Sequence, residues 1–378
     1  MRIGLVKSIL ALYPPSHSVL LLGPPGVGKS RTIWEFAEEE ALRLGREFVD
    51  YDDDDELYLK VVKSPERYYV FLDFRLSECE PSDFLGVPRD TDHYIVYKPL
   101  RWVHVFALPK IAGMLFLDEL TNIRREDVLA QAYKLVLDRK AGYKKFSENV
   151  RIIAAGNDPE HSAIANLLPA PLLNRFSVLK IDAPTVEEWI SYVDEHEGGV
   201  DVRIAGYLLR FRDDLIHVSD AATLQQYPTP RSWSKLNEII RAKHDLDENV
   251  PHELATSYVG PSVAAKFIAF CKIGAKLPTP ERLLEKPELL DEIVDEKNEL
   301  DVLYYAVVSV MSYVNEKTVK VDHAVKFMKY MTNKKKEMFA VMVNLLKKEL
   351  RTEYLMSPLV VRDQTFQDLA VLINKYLR

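Results

Sequence analysis

The stretch Gly23-Pro24-Pro25-Gly26-Val27-Gly28-Lys29-Ser30 decides the fold of this 378-residue chain. It matches the pattern G-x-x-x-x-G-K-[ST], and it lies between an apolar run at residues 18–22 and a stretch with helical spacing at residues 30–44. Glycines let the backbone wrap closely around phosphates, so that N–H groups and the amino end of the helix meet the anion. A chance glycine-rich turn is the alternative, but the strand and helix patterns on either side favour a phosphate loop.

The loop predicts the ligands as well as the fold. Lys29 is expected to reach the β- and γ-phosphates of ATP, and Ser30 is expected to bind Mg²⁺. The predicted nucleotide-binding residues are Gly23, Pro24, Pro25, Gly26, Val27, Gly28, Lys29, Ser30 and Arg31.

Four further apolar runs follow in the first half of the chain, at residues 69–74, 114–118, 150–155 and 177–181. Each is apolar at nearly every position, which is typical of strands in a parallel sheet that is covered on both faces. Because helical patterns alternate with these runs, the predicted fold class is α/β.

After Pro184 the sequence predicts helices only, at residues 186–195, 202–211, 232–241 and 263–273. Pro278 and Pro280 indicate a boundary, and amphipathic stretches follow at 302–314 and 325–350. We therefore predict an α/β core at 1–183, a helical lid at 184–275 and a C-terminal all-helical domain at 276–378.

Two carboxylates end the apolar run at 114–118. Asp118 is placed to hold the Mg²⁺ shell, and Glu119 to act as general base toward the attacking water. Strands often end in acids at a solvated loop, so the pair alone would mean little. Together with the phosphate loop upstream, it predicts a hydrolytic site at the edge of the sheet.

Three more polar residues are catalytic candidates. Asn157 follows a strand and would orient the water or touch the γ-phosphate, although Gly-Asn-Asp-Pro is also good turn chemistry. Arg175, before the run at 177–181, and Arg231, at the start of a helical stretch, could each stabilise phosphate charge. Taken singly, the position of each in the sequence favours an ordinary surface arginine.

These segments in this order, at 23–30, 115–120, 154–157, 172–176 and 230–233, resemble an AAA+ ATPase. Segments 83–88, 113–120 and 228–233 are similar to the MoxR family, and the resemblance covers about residues 1–275. It implies that Asn157 is the first sensor, Arg175 the arginine finger and Arg231 the second sensor. It further implies a hexameric ring and a partner with a von Willebrand A-type domain.

The charge and composition of the chain argue against some classes of function. A net charge of −7 argues against binding nucleic acid over the whole surface. No apolar run is long enough to span a bilayer, and we expect no signal peptide. The two cysteines, Cys79 and Cys271, form no disulfide framework or metal spacing, so a cytoplasmic location is expected.

Two other segments are ambiguous. The acidic run at 50–56 is typical of a solvated loop, although it could bind a cation or a basic partner. Residues 94–97 and 102–106 flank residues 98–101 and predict a β-hairpin. The resemblance places an insertion of this kind toward a ring pore, whereas a hairpin that only packs on its own domain is the alternative.

The sequence thus predicts a Mg²⁺-dependent ATPase with three competing outputs. The favoured output is chaperone-like remodelling or maturation of protein partners. A nucleic-acid-dependent motor would need a basic, aromatic pore. A nucleotide-gated scaffold without hydrolysis would need no second carboxylate, whereas Glu119 is present.

Overall fold

The computed structural model describes residues 1–52, 54–123, 125–158, 168–217, 226–243, 250–295 and 297–361. The chain divides into two compact units, and the boundary lies between Ala183 and Pro184.

The first unit contains a six-stranded sheet and two short two-stranded ribbons. Its strands are β1 Val19–Gly23, β2 Glu47–Asp50, β3 Tyr68–Arg75, β4 Val87–Thr91, β5 Tyr94–Lys98, β6 Ala112–Asp118, β7 Lys140–Ala141, β8 Lys144–Lys145, β9 Val150–Asn157 and β10 Ser177–Lys180. Its helices are α1 Val6–Leu10, α2 Lys29–Arg43, α3 Asp55–Lys63, α4 Pro81–Leu85, α5 Arg101–Phe106, α6 Glu126–Asp138 and α7 Ala170–Leu173.

The large sheet confirms the predicted α/β class. Its order is β10-β1-β9-β6-β3-β2, and all neighbouring strands are parallel. Strand β9 lies between β1 and β6, so the carboxyl ends of these three strands are adjacent. Strands that are neighbours in the sheet are far apart in the chain, so residues from distant segments meet at the carboxyl ends of the strands. Ligands bind at this end in open α/β sheets.

The five predicted strands form β1, β3, β6, β9 and β10, and the structure adds β2. Sequence periodicity missed β2 because it is a four-residue edge strand in which Val49 alone is buried. Helix α2 follows the phosphate loop and buries Ile33, Phe36 and Ala37 along one face. Its buried Glu40 pairs with Arg151 of β9 at 3.0 Å, which compensates a charge that would be costly to bury alone.

The hairpin prediction was wrong about its second strand. Strand β5 pairs antiparallel with β4, which precedes it, and residues 101–106 form helix α5. The reason is burial: Trp102, Val103 and Phe106 lie on one helical face in the core, whereas every residue of β5 is exposed. The predicted acidic run at 50–56 includes Asp53, which lies outside the described residues, and its last residues begin α3.

The second unit is helical, as predicted. Its helices are α8 Val186–His196, α9 Val202–Arg210, α10 Pro230–Ala242, α11 His252–Val259, α12 Pro261–Gly274, α13 Pro280–Glu285, α14 Glu299–Glu316, α15 Val321–Lys334, α16 Glu337–Leu345, α17 Lys348–Leu355 and α18 Pro358–Val361. The amphipathic stretch at 325–350 is divided among α15, α16 and α17. It breaks at Lys335, which adopts an extended conformation beside two further lysines, so that Met338 and Phe339 can return to the core.

The boundary predicted between residues 275 and 276 falls inside this unit. Buried residues from Val186 to Val360 form one hydrophobic cluster. The ring of Tyr305 on α14 lies 5.5 Å from that of Phe270 on α12, so helices from both predicted domains share a core. None of the helices in the described part of the chain combines the length and hydrophobicity that crossing a bilayer requires.

Candidate functional site

The phosphate loop connects the carboxyl end of β1 to the first residue of α2. Gly26 and Gly28 adopt φ values of 74° and 92°, a region that side chains disfavour. Gly28 immediately precedes α2, so the loop ends at the amino end of this helix, where the first N–H groups of an α-helix lack acceptors within the helix. This is the backbone arrangement that binds phosphate oxygens in NTP-binding folds.

Lys29 is held by groups from two strands. The residue is only 8 % exposed. Its Nζ donates to the carbonyl oxygens of Gly23 at 2.9 Å and Pro24 at 2.8 Å, and to Oδ1 of Asn157 at 3.2 Å. A buried ammonium requires such partners. The structure therefore brings together Lys29 and Asn157, which are 128 residues apart in the chain.

Ser30 and Asp118 form the second contact of the site. Ser30 Oγ donates to Oδ2 of Asp118 at 2.8 Å, and Oδ1 of the same carboxylate accepts from the main-chain N–H of Glu119 at 2.8 Å. No group of three or more His, Cys, Asp and Glu side chains that could hold a metal occurs in the described residues. One hydroxyl and one carboxylate suit Mg²⁺, which keeps several water ligands and binds substrate phosphates.

Asp73 is a carboxylate of this region that the sequence analysis missed. It lies on β3 beside β6, opposite Phe116 in the register. Desolvation by the surrounding protein and the negative charge of Asp118 raise the pKa of Asp73 to about 6, although its side chain is partly exposed. Because a divalent cation favours ionised carboxylates nearby, this crowding of negative charge also fits a cation site. An acid within the otherwise apolar run 69–74 was the available signal.

Glu119 has a left-handed backbone, with φ 55° and ψ 33°. It is exposed, and its Oε2 accepts from Nδ2 of Asn122 at 3.3 Å. The turn Leu120–Asn122 that follows contains a second contact. Thr121, which is buried, accepts the main-chain N–H of Asn157 on its Oγ1 at 2.9 Å.

Gly156 makes this approach of β9 to the turn possible. A Cβ atom at Gly156 would lie 2.6 Å from Cγ2 of Thr121, so any side chain there would displace the turn. Neither Thr121 nor Asn122 was a sequence candidate. The available signal was a pair of polar residues that follows the two carboxylates after one leucine.

Arg175 is not part of this group of residues. It lies between α7 and β10, where its Nη1 donates to the carbonyl oxygen of Pro171 at 2.6 Å and its guanidinium lies 5.3 Å from the Tyr133 ring centre. Since Ser177 pairs with Val19, Arg175 precedes the amino end of its strand, whereas the phosphate loop follows the carboxyl end of β1. Arg175 therefore lies at the amino ends of the parallel strands, and the phosphate loop lies at their carboxyl ends.

The two remaining candidates are exposed arginines. Arg31 donates through Nε to Glu35 at 2.8 Å, and its guanidinium lies 4.9 Å from the Trp34 ring centre. Arg231 belongs to the second unit, in the first turn of α10. That helix is anchored by Trp233, whose indole donates to the carbonyl oxygen of Asp214 at 2.9 Å.

Comparisons with known proteins give distant similarities in structure. No protein-family model matches this sequence, and no curated protein matches it. The chain is similar to Cdc6p from Pyrobaculum aerophilum at 15% identity and a TM-score of 0.38, covering 92% of this chain and 93% of that one.

Two other solved structures are similar at the same level. A RuvB mutant from Thermotoga maritima has 14% identity and a TM-score of 0.35, with 83% of this chain and 84% of that chain covered. NtrX from Brucella abortus, solved in complex with ATP, has 16% identity and a TM-score of 0.38, with 83% and 63% covered. The functional argument therefore rests on the geometry of the site.

Proposed function

We propose that this chain is a Mg²⁺-dependent ATPase of the AAA+ class. One observation supports this more than any other: polar groups from distant segments meet at one edge of the sheet. Lys29 contacts Asn157, and Ser30 contacts Asp118. A glycine-rich turn that does not bind phosphate would not require its lysine and serine to contact an amide and a carboxylate from two other strands.

Each residue then has a distinct part in hydrolysis. The loop N–H groups and Lys29 bind the phosphates. Ser30 and Asp118 would hold Mg²⁺, which neutralises charge on the β- and γ-phosphates when bound. Glu119 takes a proton from the attacking water, and the oxygen of that water forms a bond to the γ-phosphorus as the bond to ADP breaks. Asn157, already hydrogen-bonded to Lys29, orients this water or the γ-phosphate.

The output of hydrolysis is proposed from the MoxR resemblance of the motifs. We propose a homohexameric ring in which Arg175 acts on the ATP of the next subunit and Arg231 acts as second sensor. The ring would remodel a protein client, together with a partner that contains a von Willebrand A-type domain. ATP and ADP would favour different conformations of the ring. Hydrolysis can move a client only through such a difference in conformation.

Lys29→Ala tests the phosphate-binding assignment. The ammonium is the side-chain cation of the loop, and a charged hydrogen bond contributes about 1.5–3 kcal/mol, so we expect ATP affinity to fall about 10–10²-fold. Equilibrium titration with a fluorescent ATP analogue measures this directly. Lys60→Ala, which removes an exposed lysine paired with Glu56 on α3, is the matched control and should bind like the parent. Equal affinity in the two variants would contradict the assignment.

Single-stranded DNA or RNA should not stimulate ATP hydrolysis by this protein. The net charge of −7 opposes association with a polyanion. Steady-state ATPase rates with and without each polymer, at low and physiological salt, make the comparison. A several-fold stimulation that salt abolishes would favour the motor over the remodeller.

A further inference from the structure

The backbone of Glu119 is held in an unfavourable conformation by the turn that follows it. In the described part of the chain, Lys110, Glu119 and Arg139 are the non-glycine residues with positive φ. The main-chain N–H of Asn122 donates to the carbonyl oxygen of Glu119 at 2.8 Å, which closes the turn Leu120–Asn122. Strain of this kind persists where surrounding contacts enforce it, and it is concentrated at functional sites.

The side chain of Asn122 contacts the same residue again. Its Nδ2 lies 3.3 Å from Oε2 of Glu119, while its Oδ1 is buried and has no hydrogen-bond partner among the residues that the structure describes. Rotating the amide by half a turn would place that oxygen against the carboxylate, where two partial negative charges repel. The orientation of the amide is therefore fixed by Glu119 and leaves its oxygen unsatisfied.

Asn237 shows what an amide does when it only supports the fold. Its Oδ1 accepts from the main-chain N–H of Asp201 at 2.8 Å, and its Nδ2 donates to the carbonyl oxygen of Gly199 at 3.0 Å. Both ends are satisfied, as is usual for buried amides. Asn122 differs because its buried oxygen costs stability, and the contact that it gains is with an exposed carboxylate.

We propose that Asn122 is a positioning residue for Glu119, fixing the direction of the carboxylate that accepts the proton of the attacking water. The inference rests on the proposed ATPase function. A general base must lie within hydrogen-bonding reach of the proton that it accepts, and a glutamate in an exposed turn has rotational freedom that works against this. The side-chain N–H of Asn122 restricts that freedom by donating to Oε2 of Glu119.

Asn122→Leu separates positioning from structural support. Leucine has the same branched shape as asparagine, with two larger methyl groups in place of Nδ2 and Oδ1. It therefore removes the side-chain N–H that contacts Glu119 and also removes the unsatisfied oxygen. We expect kcat to fall about 10–10²-fold, as misplaced catalytic groups do, with KM for ATP within about twofold of the parent. The melting temperature of the full chain by calorimetry should be unchanged or higher. Asn237→Leu is the matched control, and its melting temperature should fall because two bonded main-chain groups lose their partner.

Asn122→Asp provides a second test that does not depend on the leucine variant. It keeps the shape of asparagine but replaces the donor with a second carboxylate, so kcat should fall at least as far. Parental kcat in either variant would overturn the inference, as would a melting temperature for Asn122→Leu that drops as far as that of Asn237→Leu. Measuring Glu119→Gln alongside distinguishes a failure of the proposed general base from a failure of the positioning role. If it hydrolyses ATP at the parental rate, the proposed base has failed, whereas an inactive Glu119→Gln beside a fully active Asn122→Leu contradicts the positioning role alone.

Discussion

Glu119→Gln is expected to bind ATP as tightly as the parent and to lose turnover by about 10²–10⁴-fold, the usual contribution of a general base. Glutamine preserves the volume and can still accept a hydrogen bond, but it cannot take the proton of the attacking water. Glu119 bonds neither to the phosphate loop nor to Lys29 among the described contacts, so binding has no reason to change. A nucleotide titration and a steady-state phosphate-release assay on the same preparation measure both quantities.

Two further variants serve as comparisons for Glu119→Gln. Glu56→Gln neutralises another exposed glutamate, on α3, and should leave both quantities at the parental values. Asp118→Ala removes the carboxylate that contacts Ser30 and should weaken the dependence of ATP binding on Mg²⁺. Parental turnover in Glu119→Gln would show that another group takes the proton. Weakened binding would show that Glu119 contributes to the nucleotide site itself.

The sheet was predictable because its central strands are buried on both faces. Runs such as 114–118 and 150–155 are apolar at every position or nearly so, and residues buried on both faces leave little room for another interpretation. The same criterion fails for β2 and the β4–β5 ribbon, which are short or exposed. There the apolar residues Tyr94 to Tyr97 were assigned to the wrong partner, since pairing depends on the turn at residues 92 and 93, which the composition did not reveal.

The candidate site was predictable only where a residue type has a fixed place in a motif. Lys29, Ser30 and Asp118 follow from the phosphate loop and the strand that ends in carboxylates. Thr121 does not, because its contact with Asn157 exists only after β9 has inserted between β1 and β6. Asn122 does not either, because its side-chain contact with Glu119 is formed within a turn that begins with a left-handed residue, which the sequence does not reveal. A threonine or an asparagine in a turn is common, and no spacing distinguishes one that supports a catalytic residue.

The strand geometry determines how Arg175 is able to act. Arg175 lies before the amino end of β10, and the phosphate loop lies beyond the carboxyl end of β1, which pairs with β10. At about 3.3 Å per residue, the paired strands alone separate these two edges by more than 10 Å, beyond the length of an arginine side chain. Within one subunit Arg175 therefore cannot contact the γ-phosphate bound at Lys29. If Arg175 stabilises the transferring phosphoryl group, the ATP must belong to a neighbouring subunit.

Arg175→Ala should accordingly bind ATP normally and hydrolyse it about 10³–10⁵-fold more slowly, the range for arginines supplied to a transferring phosphoryl group. Arg67→Ala, which removes an exposed arginine just before β3, should hydrolyse ATP at the parental rate. Mixing Arg175→Ala with Lys29→Ala tests trans action at an ATP concentration that fills the parental site but leaves the weakened Lys29→Ala site mostly empty. Under that condition a Lys29→Ala subunit holds little ATP of its own but retains its arginine for the adjacent site. In a head-to-tail ring mixed at random in equal amounts, about a quarter of the sites combine an intact lysine with an intact neighbouring arginine. Activity of the mixture at this ATP concentration should therefore rise toward about a quarter of the parental rate, although each variant alone hydrolyses little ATP. If Arg175 acted within its own subunit, no site in the mixture would hold both groups. A mixture as inactive as its components, with co-assembly shown by capture of one subunit through a tag on the other, would contradict trans action.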